Sequence, residues 1–167
     1  MSIGQLQEYG LERMDDESIR EFVDSQRTGV LGLTADDVPY MVPMSYAYDG
    51  DSTIYFTYVL GTSSRKEDLS EQHRRARFLV YSVETMFNWV SVLLKGKLSK
   101  TPESEWPELE PLLRETWRPE LFRNASTSGS VRVYEFTITH QAGIRHTGLA
   151  PGFREGTDYE TEFDETE

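Results

Sequence analysis

One stretch restricts the fold more than any other. Residues 38–48 alternate strictly, with Tyr40, Val42, Met44, Tyr46 and Tyr48 on one side and Met41, Pro43, Ser45 and Ala47 on the other. A period of two marks a strand, because successive side chains point to opposite faces. Asp49-Gly50-Asp51 follows, which is hairpin-turn chemistry. A second β-branched and aromatic run comes next, Thr53–Val59. Two strands joined by so short a turn require an antiparallel sheet.

The rest of the chain adds strands to this hairpin. Residues 14–26 predict an opening helix, capped by Asp15 or Asp16, with Ile19, Phe22 and Val23 at helical spacing. Thr28 and Gly29 end it. Short β runs follow at 29–34, 76–83 and 88–99, with turns at 35–37 and near Glu84-Thr85. Arg65–Gln72 reads as a short helix. Residues 102–115 are acidic and helix-like, with Pro107 and Pro111 breaking them, and 117–124 predict a further helical turn. A late strand at 130–140 carries Val131, Val133, Phe136 and Ile138, and residues 143–147 extend it. About six antiparallel strands with few helices fit a small barrel. Periodicity alone does not separate a barrel from a sandwich.

Length and composition narrow the class. The 167 residues suit one domain, placed at residues 1–150, followed by an acidic tail at 151–167 that is expected to be mobile. Cysteine is absent, which excludes disulfides, thiolate metal sites and a cysteine nucleophile. No apolar run approaches the roughly 20 residues of a membrane span. No signal peptide is legible, so a cytoplasmic location is expected. His73 sits among arginines, and His140 and His146 lack acidic partners at ligand spacing, so no metal is expected. Net charge is −12, from 29 acidic and 17 basic residues, and only four of the basic residues are lysines. Such a carboxylate-rich, lysine-poor surface stays soluble in concentrated salt. It also repels the phosphate backbone, which argues against nucleic-acid partners.

Against that charge, one segment reverses sign. Arg65, Lys66, Arg74, Arg75 and Arg77 put five cations within 13 positions. They follow the strand Thr53–Val59, a glycine turn at Gly61, and the hydroxyls of Ser63 and Ser64. A strand, a tight turn, hydroxyl and N–H donors at a helix start, and adjacent cations together suit a phosphate dianion.

The run Tyr-Phe-Thr-Tyr-Val-Leu-Gly-Thr-Ser-Ser-Arg-Lys at residues 55–66 resembles the strand–Ser-Arg-Lys element of the pyridoxamine 5'-phosphate oxidase-like flavin proteins. The likeness extends over roughly residues 16–100, and the acidic composition suggests a haloarchaeal-type member. The resemblance implies a mainly β fold, the FMN-binding split barrel, with FMN as cofactor (or a deazaflavin coenzyme) and a homodimer. It implies that Ser63, Ser64, Arg65 and Lys66 hold the phosphate. It lays Val42, Pro43, Met44, Ser45 and Tyr46 along the flavin ring beside Phe56 and Thr57, and brings Trp89 and Ser91 near it. A strand cation of the true oxidase is replaced here by Ala47 or Tyr48, which argues against true oxidase activity. The chain also lacks that enzyme's closing Trp and its Arg-x-His pair in register. Two functions remain open from the residues: flavin-mediated redox of an unidentified small molecule, or non-catalytic binding of a flavin, deazaflavin or haem. No side chain is singled out as catalytic; any chemistry would be the cofactor's own.

Overall fold

The computed structural model describes residues 10–60, 64–114 and 131–148. Seven strands and three helices follow in chain order. They are β1 (Leu11–Arg13), α1 (Asp16–Ser25), β2 (Thr28–Leu33), β3 (Tyr40–Tyr48), β4 (Thr53–Val59), α2 (Arg65–Gln72), β5 (Arg75–Thr85), β6 (Asn88–Lys100), α3 (Trp106–Leu113) and β7 (Val131–Thr147). The strand order is β1-β7-β4-β3-β2-β5-β6, every pairing is antiparallel, and β6 pairs back onto β7. That last pairing closes β2 to β7 into a six-stranded barrel, as the resemblance implied. The short β1 adds to the far end of β7.

The hairpin forms where the alternation places it. Tyr46 faces Phe56 across β3 and β4, and the Asp49 carboxylate accepts from the backbone N–H groups of Asp51, Ser52 and Thr53 to hold the turn. The inward residues of all six strands build an aromatic core. Phe78 meets Tyr46 edge-on at 5.2 Å and Phe56 at 4.9 Å, with Phe136 beyond; each such pair adds ~0.5–1.5 kcal/mol to its area burial. Rings this large leave no space above two glycines. A Cβ on Gly29 would fall 2.6 Å from Phe78, and one on Gly96 would fall 2.6 Å from Phe136.

Helix α1 starts where Asp15 caps it, its carboxylate accepting from the Ser18 N–H at 2.8 Å. Ile19 and Val23 enter the core from its buried face, and the Tyr46 hydroxyl donates to the Val23 carbonyl at 2.5 Å. Helix α3 covers the outside of β3, β4 and β7, with Leu113, Leu112, Leu109 and Trp106 against Ala47, Tyr55, Val131 and Val133.

Some expectations need correction. The prolines do not break the helix at 106–113. Pro107 lies in the first turn, where an N–H has no helical partner. Pro111 removes one bond, which burial of the leucine face offsets. The late strand is a single 17-residue element, longer than expected because β6 pairs along it from Tyr134 to Thr147. Its apolar residues divide between two cores: Val131 and Val133 meet α3, while Tyr134 and Phe136 point into the barrel. The expected turn at 117–124 and the tail at 151–167 lie outside the described residues. Among the described residues, no helix is long and apolar enough to cross a membrane.

Candidate functional site

Helix α2 leaves the barrel where β4 ends. Ser64 is its N-cap: the hydroxyl accepts from the Glu67 N–H at 3.4 Å, so this side chain serves the helix. Arg65, the first helical residue, is exposed. Lys66 is half-buried and turns inward. Its ammonium lies 4.5 Å from the centroid of the Tyr58 ring and 3.9 Å from Met44 Sδ. Burial holds the Lys66 pKa below its ordinary value.

A polar network fixes Tyr58 under that ammonium. Its hydroxyl meets Ser70 Oγ at 3.0 Å, and Ser70 donates to the Lys66 carbonyl at 2.8 Å. Tyr58 stacks on Tyr134 at 4.4 Å, and the Tyr134 hydroxyl donates to Glu71 Oε1 at 2.6 Å. Burial pushes the Tyr58 phenol up to about 12, and raises Tyr134 as well, with the Glu71 bond adding to it. The carboxylate next to Lys66 in sequence is engaged elsewhere. Glu67 Oε1 lies 3.7 Å from Lys100 Nζ and 3.9 Å from Arg132 Nε. No described carboxylate forms an ion pair with Lys66 or Arg65. The corner therefore presents two cations at a helix start with capacity for an added anion.

The remaining candidate residues fall in two groups. Tyr46 and Phe56 are core side chains, and Met44 is buried beneath Lys66. Val42 packs against the core from a half-buried position. Pro43 and Ser45 face outward on β3, and Thr57 is half-buried on β4. Trp89 and Ser91 lie on β6, with Trp89 near-parallel to His146 at 6.4 Å. Ser45 and Ser91 share the outer face but are separated by β2 and β5, about 14 Å at ~4.8 Å per strand. Ser63 lies outside the described residues. Tyr58, Tyr134, Glu67, Glu71 and Arg132 shape the corner without having been singled out. Arg132, a lone cation at the start of an apolar strand, was the legible signal.

The family model described as pyridoxamine 5'-phosphate oxidase matches residues 15–145. The chain belongs to the pyridoxamine 5'-phosphate oxidase family. Solved structures share the family's split-barrel fold. An FAD-binding protein from Mesorhizobium loti is 17% identical, with a TM-score of 0.67, over 82% of this chain and 99% of that one. An FAD-binding protein from Mycobacterium smegmatis is 14% identical, with a TM-score of 0.59, over 81% and 98%. The flavocytochrome Anf3 from Azotobacter vinelandii is 16% identical, with a TM-score of 0.64, over 87% and 74%. At these identities the likeness establishes the fold. No curated protein matches the chain in sequence.

Proposed function

We propose that this member of the pyridoxamine 5'-phosphate oxidase family binds FMN and acts as an oxidoreductase on a small molecule. The observation that carries the reading is the Lys66–Arg65 corner: two cations at the start of α2, paired with no described carboxylate, in a chain of net charge −12. Those residues fit a phosphate dianion. The flavin-binding proteins of the same fold support the rest. Bound there, the flavin would supply reversible electron transfer. The protein's share is to anchor the phosphate through Arg65 and Lys66, and to offer Pro43, Ser45, Trp89 and Ser91 on the outer face.

That face also supports a homodimer. Pro43, Val30, Leu79, Leu93 and Ala142 follow one another at consecutive register positions across five strands. Tyr81, Val83 and Ile144 extend the patch, all exposed. Helix α3 covers the other side of the barrel, and exposed apolar patches of this kind mark association surfaces. The acidic, lysine-poor composition supports a halophilic, cytoplasmic setting, tested by a melting temperature that climbs from low to molar KCl.

The deciding experiment is flavin titration of the apoprotein and of an Arg65→Ala, Lys66→Ala variant, with circular dichroism to check folding. Each charge-assisted contact is worth roughly 1.5–3 kcal/mol, so FMN should weaken by about two to four powers of ten. Unchanged affinity would remove the phosphate assignment. Anaerobic bleaching of the bound flavin by NAD(P)H tests the redox role; a flavin that resists reduction would favour a storage or sensing protein.

A further inference from the structure

A pocket lies away from the α2 corner, at the end of β2. It is a hollow open to solvent, with a volume of about 610 Å³, within the usual range for small-molecule sites. None of Ser64, Arg65 and Lys66 lines it. Its floor is Gly32 on the outer face of the sheet. A Cβ there would meet nothing closer than 3.7 Å, so the hollow exists because a side chain is missing. Met41 and Val38 form an apolar wall, and both are largely exposed.

The opposite wall is cationic. Gly32 faces Arg77, Arg77 faces Lys95, and Lys95 faces His140 across successive strands. One step along, Arg75 faces Lys97. Like charges directly opposite each other in a sheet are destabilising. This chain has only four lysines, yet two of them stand across from arginines here. No described carboxylate forms an ion pair with any of these four cations. Asp36 and Asp37 stand on the loop at the pocket's lip, in no ion pair with a described cation. A repulsive cationic row beside an apolar hollow is a poor arrangement for folding and a good one for an anion with an apolar body.

We infer that this pocket binds a small molecule carrying an oxyanion, a carboxylate or a phosphate, joined to an apolar group. The oxyanion lies between Arg77 and Lys95, and the apolar group covers Gly32 against Met41 and Val38. The inference goes beyond the flavin reading and does not rest on it. It also gives the chain anion-recognising cations on β5 and β6, whereas β3 has none.

The test is calorimetric titration of the full chain at fixed ionic strength. Phenyl phosphate, benzoate and neutral benzyl alcohol serve as probes. Saturable binding of one or both aryl anions, with benzyl alcohol much weaker, is expected, and the stronger anion identifies the oxyanion. Arg77→Gln with Lys95→Gln should weaken the bound anion at least about tenfold. Gly32→Val, whose side chain points outward on a strand, should fill the hollow and remove aryl binding. FMN affinity, measured in the same variants, should stay at the parent value. That separates failure of this site from failure of the α2 corner. No saturable binding of either aryl anion, or binding that the charge variant leaves unchanged, would overturn the inference.

Discussion

The ammonium of Lys66 stands 4.5 Å over the ring of Tyr58, 3.9 Å from the sulfur of Met44. The aromatic face attracts the cation, but burial disfavours its charge. The folded pKa is lowered from 10.5 by desolvation. The charged form is thus the costly one in the folded chain. The cost is complete below the folded pKa and fades as pH rises toward 10.5.

Lys66→Met removes that cost and keeps a long, polarizable side chain over Tyr58. The variant is expected to melt at a higher temperature at neutral pH while binding FMN more weakly. Thermal melts and flavin titration on the same preparation check both halves. A lower melting temperature would show that the cation–π contact outweighs the desolvation.

Alkali should unfold the protein through its buried phenols. Tyr58 has its pKa raised from 10.0 to about 12, chiefly by burial. A raised folded pKa means the native chain keeps a proton that the unfolded chain has lost. Its contribution is complete below pH 10 and disappears as pH rises through about 12. Two pKa units correspond to about 2–3 kcal/mol. Tyr58→Phe should flatten the decline in stability between pH 10 and 12, read by denaturant titration at stepped pH. An unaltered slope would assign the loss to other groups.

Gly96 has no room for a side chain. Its Cβ would fall 2.5 Å from the Thr137 carbonyl oxygen and 2.6 Å from the Phe136 ring. Gly96→Ala is expected to cost about 1–3 kcal/mol by overpacking. Urea unfolding measures it, and an unchanged midpoint would mean that the neighbouring irregularity at Lys95/Gly96 absorbs the methyl group.

The exposed apolar residues of the outer face should hold two copies together. Leu93→Glu places a carboxylate in the middle of the apolar row formed with Leu79 and Ala142. Sedimentation in molar salt should give a dimer for the parent and a monomer for the variant. A monomeric parent that still binds flavin would end the dimer proposal.

The sequence by itself determined whatever depends on near neighbours. The alternation of Tyr40 to Tyr48 and the Asp49 turn each rest on contacts within a few residues, so they were legible as periodicity and turn chemistry. Ser64 was read as a phosphate donor, and only the structure shows its hydroxyl capping the helix. The family likeness was legible for the same reason, since residues 55–66 form one continuous motif. The tertiary structure alone decided which way those residues face. Tyr134 reaches Glu71 across 63 positions, and Lys66 reaches Met44 across 22. The row of Arg77 and Lys95, with His140 beyond them, joins three strands that are not one segment. Strand register within a hairpin follows from the hydrophobic pattern and the turn, but which side chains meet across distant segments is decided only when the barrel closes. Thus Lys66 reads in sequence as a surface cation beside Arg65, and only the closed barrel buries it over Tyr58.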